Sequence, residues 1–91
     1  MQQGRRMASE KRIKNLGPKT TAWLHDIGIE TEDDLRRAGS VEAYRRLKAR
    51  FPDQVTLNAL WGLESALLGI HWQALPAEIK EILLRELTNG A

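Results

Sequence analysis

The sequence predicts an all-α domain, a compact bundle of about five short helices, on three observations. Apolar side chains recur at the three- and four-residue spacing of a helix face along most of the chain, and no stretch alternates as a half-buried strand would. Gly17-Pro18, Gly28, Gly39, Pro52, Pro76 and Asn89-Gly90 cut the chain into segments of helix length. Ninety-one residues, 42% apolar and 29% charged, have the balance of one soluble globular domain with a modest core.

Residues 1–12 show no apolar periodicity and read as a flexible lead-in, and residues 13–90 read as the single helical domain. Gly17 ends the first short element, and Pro18 suits the first position of a new helix, where its missing N–H is no loss. Thr20, Trp23, Leu24 and Ile27 then share one face, with Gly28 as a left-handed cap and Ile29 as the apolar residue that accompanies it. Thr31 is the expected N-cap of a helix of about eight residues that Gly39 closes. Glu32, Asp33 and Asp34 lie in its first turn and Arg36 and Arg37 in its last, where the helix dipole favours each.

Ser40 is expected to cap the third helix, with Val41, Tyr44, Leu47 and Phe51 buried and Arg45, Arg46, Ala49 and Arg50 on another face; Pro52 and Asp53 end it. Thr56 is expected to cap the fourth, Leu57 to Ile70, which is apolar almost all round and so should be the most buried. Ala59, Gly62 and Ala66 would let a neighbour approach that helix closely, or leave it a face for self-association. His71 and Trp72 bridge to a fifth helix that begins near Pro76 and repeats Ile79, Ile82, Leu83 and Leu87 at helical spacing.

Several function classes fall away at this level. No apolar run approaches the roughly 20 residues of a membrane span, and Arg5 and Arg6 have no apolar run behind them to make a secretory signal. Without cysteine there are no disulfides or thiolate metal sites, and a cytoplasmic location is the expectation. The acidic run at Glu32–Asp34 is explained by helix-start electrostatics without a metal. His25 and His71 offer neither a nucleophile–base spacing nor a pair of ligands at i, i+4, so no catalytic residue, metal or cofactor is expected. Trp23, Trp61 and Trp72 read first as core material and second as platforms for bases.

The net charge of +2 is unevenly placed: residues 1–20 hold six basic side chains against one acidic, and residues 21–40 hold five acidic against two basic. The basic end suits nucleic acid but is no continuous stripe. Within it, Asn15-Leu16-Gly17-Pro18-Lys19-Thr20, followed by Ala22 and Leu24, resembles a helix-hairpin-helix turn, with Asn15 where many such motifs have glycine. It also resembles the DNA-backbone-touching turn in the C-terminal domain of the alpha chain of bacterial RNA polymerase. Glycine there lets a phosphate approach the backbone, the first helical N–H groups attract the anion, and Lys19 and Thr20 add a charge and a hydroxyl. The candidate phosphate contacts are therefore Asn15, Gly17, Lys19, Thr20, Lys14 and Arg12, aided by Lys11, with Arg45, Arg46 and Arg50 as a secondary basic face.

Over a longer span the pattern is more specific. Leu16-Gly17-Pro18-Lys19, Trp23-Leu24, Ile27-Gly28-Ile29, Val41 to Lys48, Leu57 to Glu64, Ala66 to Gly69, His71-Trp72 and Leu75-Pro76 together resemble the C-terminal domain of the TfoX/Sxy family of bacterial competence regulators, over roughly residues 13–88. That resemblance implies a helical fold akin to SAM domains and to the C-terminal domain of the polymerase alpha chain. It also implies a non-enzymatic regulatory or adaptor role in transcription, through protein contacts or protein and DNA together. Members usually carry an α/β domain ahead of this one, and no stretch here reads as such, so a stand-alone copy or a piece of a longer product is expected. The partners implied are proteins of the transcription machinery or its regulators and DNA, with a homodimer through the fourth helix and no membrane. The alternative is a module that binds nucleic acid directly and non-specifically through the Asn15–Thr20 turn.

Overall fold

Each expected helix forms, and where its extent differs from expectation it differs at the ends. The computed structural model describes Ile13 and residues 16–89. In chain order these form α1 (Pro18–Asp26), α2 (Glu32–Ala38), α3 (Ser40–Arg50), α4 (Leu57–Leu68), a 3₁₀ turn (Trp72–Ala74) and α5 (Ala77–Asn89), with no strand among the described residues. The lead-in expected over residues 1–12 lies outside them. No helix among the described residues is long and apolar enough to cross a membrane.

Gly17 occupies the N-cap of α1 and Pro18 its first position, as the sequence predicts. At the other end Gly28, at φ +88°, donates to the His25 carbonyl at 3.0 Å while Ile29 N–H reaches back to Leu24 at 2.8 Å. This pair of bonds is the Schellman arrangement, and it folds Ile29 into the core. Thr31 then opens α2 with a complete capping box: Asp34 N–H donates to Thr31 Oγ1, and Asp34 Oδ2 accepts from Thr31 N–H and Glu30 N–H at 3.2 and 3.1 Å.

The Glu30 N–H holds the Asp34 carboxyl below its ordinary value of 3.8, against some desolvation and with help from the Thr31 N–H and Arg37. A depressed folded-state value means the contribution is complete above the unfolded value and is lost as pH falls through the folded one. Asp34→Asn is therefore expected to flatten the fall in melting temperature below about pH 4. Thermal melts of both proteins between pH 2 and 6 check this, and parallel curves would count against it.

Only Gly39 separates α2 from α3. Its N–H donates to Leu35 at 2.7 Å and its own carbonyl accepts from Ala43 at 3.0 Å, so Gly39, rather than Ser40, is the N-cap of α3. Ser40 is already helical, and its buried hydroxyl donates to Glu64 Oε1 at 2.7 Å, tying the start of α3 to α4. After α3, Lys48 Nζ donates to the carbonyls of Pro52 and Val55 at 2.9 and 2.7 Å. That buttress seats Val55, a loop residue the periodicity gave no reason to bury, fully in the core.

Thr56 stands at the N-cap of α4 without a side-chain bond, and the helix ends at Leu68, not Ile70. The reason is Gly69: at φ +74° it turns the chain so that Ile70 N–H reaches the Ser65 carbonyl at 3.0 Å, a second Schellman end. α4 is the central helix, packed by α2, α3 and the 3₁₀ turn, with Leu60, Leu63, Ser65 and Ala66 buried. Its uncovered apolar residues, Leu57 and Leu68, sit at opposite ends, three turns apart. α5 leans chiefly on α3 and buries Leu83, while Ile82, expected on the core face, is 46% exposed.

Candidate functional site

The turn ahead of α1 is built on ordinary backbone. Gly17 is extended at φ −71° and ψ 167°, a conformation open to any residue, and a Cβ there would meet none of the described residues within 4 Å. The first α1 amide with a helical partner is that of Thr21, whose N–H and hydroxyl both donate to the Gly17 carbonyl at 3.0 and 2.9 Å. Among the described residues no side chain caps the preceding amides of Lys19 and Thr20. The first turn of α4, also without a side-chain cap, meets this turn. Between them lies a cavity of about 200 Å³ lined by Leu16, Gly17, Thr20, Asn58, Gly62 and Trp72. Trp72 is 43% exposed and stacks on His71, ring centroids 6.0 Å apart. Of the other predicted turn residues, Arg12, Lys14 and Asn15 lie outside the described residues.

Lys19 is exposed and lies along its own helix over Trp23. Its Nζ lies 5.3 Å from the centroid of Trp23, Trp23 stacks on Phe51 at 5.6 Å, and the Arg50 guanidinium lies 5.3 Å from Phe51. Asp26 Oδ2 faces Arg50 at 3.5 Å. Two cations that the sequence places on separate surfaces thus stand at the ends of one cation–aromatic column joining α1 to the end of α3. Trp23 is already engaged by both neighbours, and Trp61, beneath Lys80 at 5.5 Å, likewise packs against the core. Trp72 is the most open of the three indoles.

Each side chain of the secondary basic face has a neighbour. Arg45 donates through Nη2 to the carbonyls of Glu86 and Leu87 at 3.1 and 3.0 Å, closing the end of α5, and Arg46 Nε donates to Glu42 at 3.0 Å. Arg50 faces Asp26. The described residues hold nine Lys or Arg against eleven Asp or Glu, so the folded part is slightly acidic and the basic excess belongs to residues 1–14. His25 is exposed on α1, 3.2 Å from Glu30.

A further feature lay beyond the periodicity. Because α5 leans on α3, a groove of about 470 Å³ stays open between the start of α3, α4 and α5, floored by Val41, Leu67, Ile79, Ile82 and Leu83. The one legible signal for it was the excess of apolar residues on the last two helices.

Comparison with known families decides the kinship of this fold: the family model of the TfoX C-terminal domain matches residues 7–87. The chain belongs to that family. The match runs from ahead of α1 to Leu87 in the last turn of α5, so this TfoX C-terminal domain includes the turn, the column and the groove. No curated protein and no solved structure matches the chain. Membership in the TfoX family carries the competence-related regulatory association that the sequence resemblance implied.

Proposed function

We propose that this TfoX C-terminal domain is a non-enzymatic regulatory module of transcription that works in the cytoplasm by docking on a protein partner, alone or on DNA beside it. The observation that supports this reading is the open groove with exposed Ile82 on a folded surface whose basic side chains are largely paired and whose net charge is slightly negative. Such a surface favours protein over phosphate. His25 lies 3.2 Å from Glu30, and His71 Nδ1 accepts from the Gln73 N–H. The test is capture from bacterial extract on the immobilised full chain, with and without nuclease. RNA polymerase components or regulators retained after nuclease support docking, and no nuclease-resistant capture removes it.

A second reading, direct non-specific binding of nucleic acid, draws on one feature: two helix starts that no side chain caps among the described residues meet beside exposed Trp72. Lys19, Gly17 and Thr20 would meet the backbone there, with Arg12, Lys14 and Asn15 supplied from the preceding residues. Exchanging Lys14 and Lys19 for Glu is then expected to weaken binding of a DNA duplex at least tenfold and to lower the salt slope by about two. Fluorescence polarisation across a salt series reads both, and unchanged binding would discard this reading.

A further inference from the structure

The groove has a chemistry that narrows what docks in it. Its floor is aliphatic, from Val41, Leu67, Ile79, Ile82 and Leu83, and its volume of about 470 Å³ lies in the range of binding clefts. The carboxylates of Glu64 and Glu86 flank that floor, and among the described residues neither forms an ion pair. Among the described residues Glu64 accepts only the Ser40 hydroxyl. Two further charges reach the groove and compensate each other: Glu42 faces both Arg45 and Arg46, and Arg45 is bound to the carbonyls that end α5. The positive end of the α3 dipole is met by Glu42 in its first turn. What is left for a visitor, among the described residues, is an apolar floor between two carboxylates that form no ion pair.

The walls also decide the visitor's backbone. Every lining residue except Gly39 belongs to a helix, so the groove offers no strand edge, and an extended segment would bring amides and carbonyls with nothing to bond. A helix satisfies its own backbone and presents side chains alone. We propose that the groove binds a basic amphipathic helix of a protein partner, with aliphatic residues at i, i+3 or i+4, and i+7, flanked by Lys or Arg. This inference rests on the protein-docking reading and specifies its partner. A second copy of this chain fits poorly: its own partly exposed apolar helix, α5, carries Glu78, Glu81 and Glu86 against Lys80 and Arg85 and would bring like charge to Glu64 and Glu86.

The test uses the full chain and a fluorescently labelled helical peptide made only of leucine and lysine, with the leucines on one face. Controls are the same composition scrambled to remove the face, and a leucine–glutamate version. Binding of the first alone is expected by anisotropy. Ile82→Lys, at an exposed site, should weaken it tenfold or more with an unchanged thermal melt. Glu64→Gln with Glu86→Gln, which keeps an acceptor for Ser40, should weaken it about fivefold at low salt and less at high salt. Equal binding of the scrambled or acidic peptide, either variant matching the wild type, or light scattering that shows a dimer broken by Ile82→Lys would overturn the inference. If Ile82→Lys still captures the same nuclease-resistant proteins from extract, the groove assignment fails while protein docking stands; if the wild type captures none, docking itself fails.

Discussion

Leu63→Ala is expected to lower the melting temperature by about 10–30 °C, a shift at the upper end for a single truncation in a domain this small. Leu63 is fully buried at the centre of α4, the helix against which α2, α3 and the 3₁₀ turn pack. Removing its isobutyl group loses the transfer free energy and leaves a void that surrounding helices fill only in part, together about 2–5 kcal/mol. In a domain of this size each kcal/mol moves the midpoint by about 4–8 °C, and total stability is only about 5–15 kcal/mol. A thermal melt followed by circular dichroism measures the shift. Leu68→Ala, five residues on in the same helix but 47% exposed, is the control and should shift the midpoint by only a few degrees. Similar losses from the two would mean that α4 is not the centre of the core.

Gly39→Ala is expected to destabilise the domain by about 1–3 kcal/mol although it adds a single methyl group with room to fit. Nothing lies within 4 Å of where its Cβ would stand. The loss is torsional, because φ +85° with ψ 155° is a region that side-chain-bearing residues avoid. No neighbouring residue can absorb the change, since α2 ends at Ala38 and α3 begins at Ser40. Gly17→Ala makes the opposite case: its backbone is extended, so stability should hold or rise by up to about 1 kcal/mol. Denaturant titrations of both variants separate the two glycines. If DNA approaches the Gly17 backbone closely, Gly17→Ala will weaken binding with no loss of stability; equal stability losses at Gly17 and Gly39 would refute the assignment of strain.

The contrast between these glycines also marks how far the sequence could be read. Local rules worked where both partners of an interaction lie within one turn: Gly28 with Ile29, Thr31 as the cap of α2, Pro18 at the start of α1. They misplaced Ser40 because its hydroxyl bonds Glu64, twenty-four residues away. They overran α4 because a glycine at the end of an apolar run reads equally as interior or as cap, and the backbone chose the cap. Val55 was invisible as a core residue since the lysine that seats it acts from the preceding helix. The family pattern, spread along most of the chain, was legible because it samples many such positions at once.

The candidate surfaces were less legible for the same reason. Lys19 and Arg50 meet at one column only because Trp23 stacks on Phe51, and no spacing in the chain encodes that contact. Arg45 leaves the basic face because α5, about forty residues on, offers its carbonyls. The groove exists because of the angle at which α5 leans, a property of packing rather than of pattern.

The column has a consequence for recognition beyond charge. A long cationic side chain normally surrenders up to about 2 kcal/mol of rotamer entropy when a partner fixes it. Lys19 and Arg50 are held over aromatic rings before any partner arrives, so part of that ordering has already occurred on folding. The turn ahead of α1 is thus presented by a preorganised strut running from the start of α1 to the end of α3. On the direct-binding reading, a ligand that accepted the side chains where they stand would meet little entropic resistance, and one that required them elsewhere would first have to unstack them, so the column would act as a filter on shape as well as on sign.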